Sequence, residues 1–237
     1  MYPDRHCRQP NYRLAPPALA ALALLCGACS NPGTARAQTS ANLTLQSEYS
    51  ARGVALDTRP TLQLRVVHDT ADGWYAGGFA SPVRLDDRSQ AQLVAYGGRA
   101  QRLSSTLTVD AGISRSVFSR AGTFDYTELY AGVVLAGASA RLLYSPHYYG
   151  EGRTVYLDLN TAYPLGEKVS LSLHAGLLHP FDEHGEAARN AGDVRVALAT
   201  DVGDYRLQVG WQRKWHPYLQ GVAPVARALT ASASRYF

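Results

Sequence analysis

From Leu43 onward apolar side chains recur at every second position, the period of a strand with one apolar and one polar face. Leu107, Val109, Ala111 and Ile113 alternate with Thr108, Asp110 and Gly112, and Val155, Leu157 and Leu159 alternate with Tyr156, Asp158 and Asn160. The rhythm continues through Val169 to Leu177, opposite Ser170, Ser172, His174 and Gly176, and again through Val194 to Leu198 and Leu207 to Trp211. Helical spacing is confined to a short piece, Glu186 to Asn190. The pattern predicts an all-β chain of twelve strands, near 42–52, 60–69, 74–82, 90–100, 104–115, 125–135, 138–147, 154–163, 169–178, 193–202, 205–213 and 226–237.

Short and long connections alternate between these segments. Thr70 to Gly73, Gln101 to Leu103, Ala136-Gly137, Pro164 to Lys168 and Gly203-Asp204 are short. Gly53 to Arg59, Val83 to Ser89, Ser116 to Phe124, Tyr148 to Arg153, His179 to Gly192 and Lys214 to Val225 are longer and polar or Gly-rich. An even number of ~10-residue strands, with short turns at one rim and long loops at the other, describes a transmembrane antiparallel up-and-down β-barrel of the bacterial outer membrane, both termini periplasmic. A soluble sandwich or lipocalin-like barrel also alternates with period two. Three features favour the membrane reading. Tyr49, Trp74, Tyr163, Trp211 and Trp215 stand near strand ends, where interfacial aromatics belong. The final segment, Leu229 to Phe237, ends on an aromatic and resembles the assembly signal read by the barrel-insertion machinery, with Arg235 where an apolar residue is usual.

The third feature is an export signal. Arg5, Arg8 and Arg13 precede the apolar run Ala18 to Leu25, and Ala35-Arg36-Ala37 offers the small residues that signal peptidase requires. Residues 1–37 are therefore expected to be a signal peptide and 38–237 the barrel. Lipidation at Cys29 is the competing reading, although Cys26-Gly27-Ala28-Cys29 lacks the usual aliphatic residue three before the cysteine. Cys7, Cys26 and Cys29 all fall in this segment, so a chain starting at Gln38 forms no disulfide. Beyond the first thirty residues no run approaches ~18 consecutive apolar residues, which excludes a helical membrane span there.

Composition changes the picture in one respect. The net charge is +4, but four of the 23 basic residues and one of the 19 acidic ones precede residue 38, leaving 19 against 18. A nearly neutral body without a basic run or recognition motif argues against a nucleic-acid partner.

If the apolar faces meet lipid, the opposite faces line a lumen. They carry Glu48, Arg52, Arg65, Asp110, Glu128, Arg141, Asp158, His174, Arg195 and Arg206, five Arg against four acids. An Arg at the lipid midplane costs ~2–4 kcal/mol, so an inward placement follows from energetics. These side chains make either a polar pore with a slight preference for anions or a plug of paired charges in a narrow lumen. Ser172 and His174 share an inward face and raise the possibility of a nucleophile acting on lipid, but no strained G-x-S-x-G turn accompanies them. His179-Pro-Phe-Asp-Glu-His-Gly-Glu186 could gather a divalent cation, although nothing in its spacing fixes a coordination geometry. No phosphate-binding Gly-Lys motif or dinucleotide fingerprint occurs, so no cofactor is expected.

Four stretches, taken together and in order, resemble the TorF-like family of proteobacterial porins: Ser47-Glu-Tyr-Ser-Ala-Arg-Gly53, Gly73-Trp-Tyr-Ala-Gly77, Asp125-Tyr-Thr-Glu-Leu-Tyr-Ala-Gly132, and Tyr144-Ser-Pro-His-Tyr-Tyr-Gly150 followed by Thr154-Val-Tyr-Leu157. The resemblance implies an outer-membrane barrel and passive diffusion of small polar solutes or ions, and it carries over no catalytic residues. A structural or ligand-binding barrel with a plugged lumen, and a barrel enzyme acting on lipid, are the alternatives. The expected partners are outer-membrane lipid, the insertion machinery and the solutes; the oligomeric state is left open.

Overall fold

A computed structural model of the protein describes residues 37–182, 189–216 and 228–237. Twelve strands close into one antiparallel barrel, and two short strands pair only with each other. In chain order the elements are β1 (Gln38–Gln46), β2 (Tyr49–Ala51), β3 (Val54–Asp57), β4 (Thr61–Asp69), β5 (Trp74–Leu85), β6 (Arg88–Arg102), β7 (Leu107–Phe118), β8 (Tyr126–Leu135), β9 (Ala138–Tyr148), β10 (Gly152–Pro164), β11 (Val169–Pro180), β12 (Ala191–Val202), β13 (Tyr205–Trp215) and β14 (Leu229–Tyr236). Each wall strand pairs with its sequence neighbours, except that β1 skips the hairpin to pair with β4 and closes the barrel against β14. Ala41 and Phe237 complete the closure by exchanging two backbone hydrogen bonds of 3.3 and 2.9 Å. The rim carrying Gln38 and Tyr236 is the terminal rim; β1 leaves the wall at the far rim.

The alternation read from the sequence sets the two faces of this wall. Leu62, Leu129, Leu142, Leu198 and Val209 point outward and stay 51–62% exposed. Apolar surface left in water costs ~25 cal/mol per Å², so a continuous apolar belt on a closed sheet belongs in lipid. Exposed Trp74, Tyr163, Tyr205 and Phe237 flank the belt toward the terminal rim, and Tyr144, Trp211 and Trp215 flank it toward the far rim. These rings sit where an amphipathic side chain meets both lipid and water.

Several boundaries differ from the sequence expectation. The first wall strand covers 38–46 rather than 42–52, because the chain turns into the barrel at Ser47. Gly53 to Arg59 is therefore not an outer loop but mostly the second arm of an internal hairpin, and Tyr49 belongs to no aromatic belt, being 0% exposed inside the barrel. Val83 to Ser89 is not a long loop either. Here β5 and β6 pair as far as Leu85 and Arg88 across a two-residue turn, with Asp86 and Asp87 both at positive φ (51° and 56°), the geometry that matches strand twist. Tyr148 to Arg153 is likewise shortened by the ends of β9 and β10. The last wall strand spans 229–236 rather than 226–237. The expected signal peptide and most of the expected helical piece lie outside the described residues.

The buried core sits inside the barrel, in its far half. Val83, Leu85, Phe118 and Leu178 face inward, against the polar rule for a lumen, because they pack on Tyr49, Val54 and Leu56 of the hairpin. Tyr126, Tyr148 and Tyr149 stack there with ring centroids 4.7–4.9 Å apart, close enough for aromatic attraction beyond simple burial.

Candidate functional site

The internal hairpin narrows the lumen, and its tip explains why Arg-Gly stands at 52–53. A two-residue turn between twisted strands needs positive φ at both positions, and Arg52 (48°) and Gly53 (75°) supply it between Ala51 and Val54. The turn aims the Arg52 guanidinium across the barrel at Glu128 on β8, where the two form a bidentate pair, with Nη2 donating to Oε2 at 2.7 Å. Both side chains are below 10% exposed. The guanidinium also lies 5.5 and 5.7 Å from the ring centres of Tyr156 and Tyr148.

Other anchors hold the body and base of the hairpin. Tyr49 Oη donates to Gln92 on β6 at 2.9 Å, Gln212 on β13 donates to Glu48 at 2.8 Å, and Lys214 Nζ donates to Ser50 at 2.5 Å. Asp57 accepts the backbone N–H, Nε and Nη2 of Arg59, all within 3.0 Å. The hairpin is thus tied to opposite walls.

The residues singled out from the sequence all project into the barrel interior. Glu48 and Arg52 do so from the hairpin and its lead-in rather than from the wall. Arg65 rests 5.3 Å from the ring centre of inward Phe79. Asp110 accepts Arg141 at 2.6 Å and Tyr75 at 3.0 Å, and the Tyr75 and Tyr130 hydroxyls lie 2.8 Å apart. His174 is held between Asp193, 2.7 Å from Nε2, and Asp158, 3.2 Å from Nδ1, so an imidazolium would meet an acceptor at each N–H. Arg206 donates to Ser170 at 2.7 Å and lies 3.4 Å from Asp201. Arg195 faces two cavities of about 20 Å³, each with room for about one water. One lies between the hairpin tip and β10–β13; the other lies between the hairpin base and β13–β14.

Among the described residues, the buried charges absent from the sequence reading include Asp57 in the hairpin and Asp193 and Lys214 on the wall. Asp193 shares the inward parity of Arg195 and lies within the expected strand 193–202, and Lys214 shares that of Arg206 one residue beyond the expected end at 213, so alternation could have found both.

The other candidate constellations are not brought together. Ser172 Oγ donates to the Ala197 carbonyl at 3.4 Å, while His174 is committed to two aspartates, so no nucleophile–base contact forms between them. In the 179–186 segment His179 Nδ1 lies 2.8 Å from Asn190 Oδ1 and Asp182 accepts Arg153; Glu183, His184 and Glu186 lie outside the described residues. Among the described residues no three His, Cys, Asp or Glu side chains are grouped to hold a metal ion.

The architecture has solved counterparts. The KdgM porin superposes with a TM-score of 0.52 at 12% identity, over 84% of this chain and 98% of that one. The NanC porin gives 0.56 at 12% identity with the same coverage. KdgM has also been solved in complex with disordered oligogalacturonate. No curated protein matches the sequence. These likenesses establish the porin-like barrel fold. At the level of sequence, the model of a family described as bacterial protein of unknown function (Gcw_chp) matches residues 31–212, and the chain belongs to that family.

Proposed function

We propose that the protein is a passive, non-enzymatic channel of the Gram-negative outer membrane, passing small polar solutes or ions with a slight preference for anions. The observation that carries this reading is a closed barrel with an apolar exterior and a charged interior. The resemblance of four sequence stretches to TorF-like porins supports it, and so does the fold shared with KdgM, whose bound oligogalacturonate is an acidic sugar chain. Residues 1–37 would direct export and be removed, both termini would face the periplasm, and the far rim would face outside.

Conductance in a planar bilayer tests the reading. The purified barrel should conduct, and in a salt gradient below ~0.1 M its reversal potential should favour anions. Arg65→Glu should move that potential toward cations, by an amount that shrinks as salt screens the lumen. A conducting barrel indifferent to this reversal would remove the anion preference. The inward hairpin favours a second reading, a plugged structural or binding barrel, in which the wild type is silent and only a variant with a released hairpin conducts. Silence in both would sink the channel.

Phe237 is proposed to act as the signal to the insertion machinery. Its ring is 64% exposed at the terminal rim while its backbone seals the β1 edge. Deleting Phe237 should leave export intact and cut the amount of heat-modifiable barrel in the outer membrane several-fold. Normal abundance would show that the residue carries no such signal.

A further inference from the structure

Among the interior arginines Arg195 stands apart. Arg52, Arg141 and Arg206 each pair with an acid, and Arg65 lies over an aromatic ring. Arg195 makes no hydrogen bond or ion pair of its own among the described residues, and it lines the two cavities described above. The acids within its surroundings are already engaged. Asp193 accepts Tyr156 at 3.1 Å and faces His174; Asp158 accepts Asn160 at 2.7 Å and faces His174; Glu48 accepts Gln212 and Ser50 at 2.8 and 2.9 Å. A guanidinium offers five N–H donors and no acceptor, and donors left without acceptors in a protein interior are costly.

The cavity toward β13–β14 adds donors of the same kind. The Gln208 amide and the Ser232 hydroxyl line it beside Arg195, stand opposite each other in the β13–β14 ladder, and make no side-chain hydrogen bond among the described residues. All but one of its lining residues are polar, and Glu48, its only acid, is occupied as above. One cation and two neutral donors around a space of about 20 Å³ suit a single compact negative charge.

We infer that Arg195, Gln208 and Ser232 form a binding site for one small anion, of the size of a halide or a single carboxylate head, at the base of the internal hairpin. This deepens the channel reading, since the site would be the resting point of an anion in the lumen. The carboxylates of Asp193 and Glu48 limit its strength, which suits a permeant ion that must also leave.

The test uses the full-length barrel folded in detergent, with thermal unfolding followed by Trp fluorescence. Sodium bromide and, separately, sodium acetate are titrated in, with sodium sulfate, whose tetrahedral dianion is too large for a space of about 20 Å³, holding the ionic strength constant. The midpoint should climb by roughly 5–10 °C once the probe reaches ~100 times its dissociation constant. A bromide response identifies a halide site and an acetate response a carboxylate site; a flat response to both overturns the proposal. Arg195→Gln should abolish the climb while Arg65→Gln keeps it, and an equal climb in Arg195→Gln overturns the assignment. Should that variant not fold, Gln208→Leu, which removes a donor and fills the cavity, should weaken the response about tenfold, and an unchanged response again refutes the site. Binding is read here without a membrane or a current. A silent wild type in bilayers would remove the channel and leave the site, whereas a conducting barrel with a flat titration would remove the site alone.

Discussion

Arg52→Ala should convert the barrel to a form with several-fold larger and unsteady conductance, and should destabilise it at the same time. The substitution strips the hairpin of its hold on β8 and leaves Glu128, 3% exposed, as an unpaired charge among tyrosine rings. Removing one partner of such a pair costs about 3–5 kcal/mol. The two effects separate in the double variant Arg52→Ala/Glu128→Gln, where no net charge is stranded. Unfolding should return toward the wild-type midpoint while the enlarged current persists, because the tip is still unanchored. A double variant with wild-type current would show that the tip does not set the constriction.

Gly112→Val should prevent assembly of a stable barrel. A β-carbon at Gly112 would overlap the Gly97 carbonyl oxygen on β6 and the hydroxyl end of Tyr130 on β8. The carbonyl belongs to the wall and cannot step aside, and Tyr130 is held by Tyr75, by the Gly97 carbonyl at 3.2 Å and by the Arg141 guanidinium 4.9 Å from its ring centre. Forcing extra atoms into a packed site typically costs 1–3 kcal/mol, and two fixed neighbours put this substitution at about 3. Loss of the heat-modifiable band and a lowered urea midpoint are the measurements. If Gly112→Val assembled and unfolded as the wild type does, the ring would not be seated on this glycine.

The wall of the barrel was legible because its physics is local. Alternation in Val155 to Asn160 or Val194 to Ala199 records which side meets lipid, and pairs such as Ala136-Gly137, with φ of 48° and 88°, mark where a strand doubles back. The hairpin was not legible by the same rule. Ser47 to Asp57 also reads as extended chain, and nothing within it says that its partners are Gln92, Glu128 and Lys214, all far away in sequence. Signs were present in retrospect: Val54-Ala55-Leu56 breaks the alternation, as a segment buried on both faces must, and Val83, Leu85 and Phe118 put apolar side chains on the face that should be polar. The interior arginines were identified by parity alone, which reveals direction but not company. That Arg141 pairs with Asp110 while Arg195 forms no ion pair among the described residues depends on registers across several strands.

The hairpin's place in the chain bears on the order in which the molecule assembles. It is made immediately after the first wall strand, yet Arg52 lies 76 residues from Glu128 and Ser50 lies 164 residues from Lys214. Contacts of such sequence separation are reached late, after the intervening loops have closed. Because β2 and β3 share no ladder with the wall, the twelve-strand cylinder can zip shut without them and receive them afterwards. That topology leaves room for docking of the internal segment as a separate event, one that can run backward while every wall hydrogen bond stays in place.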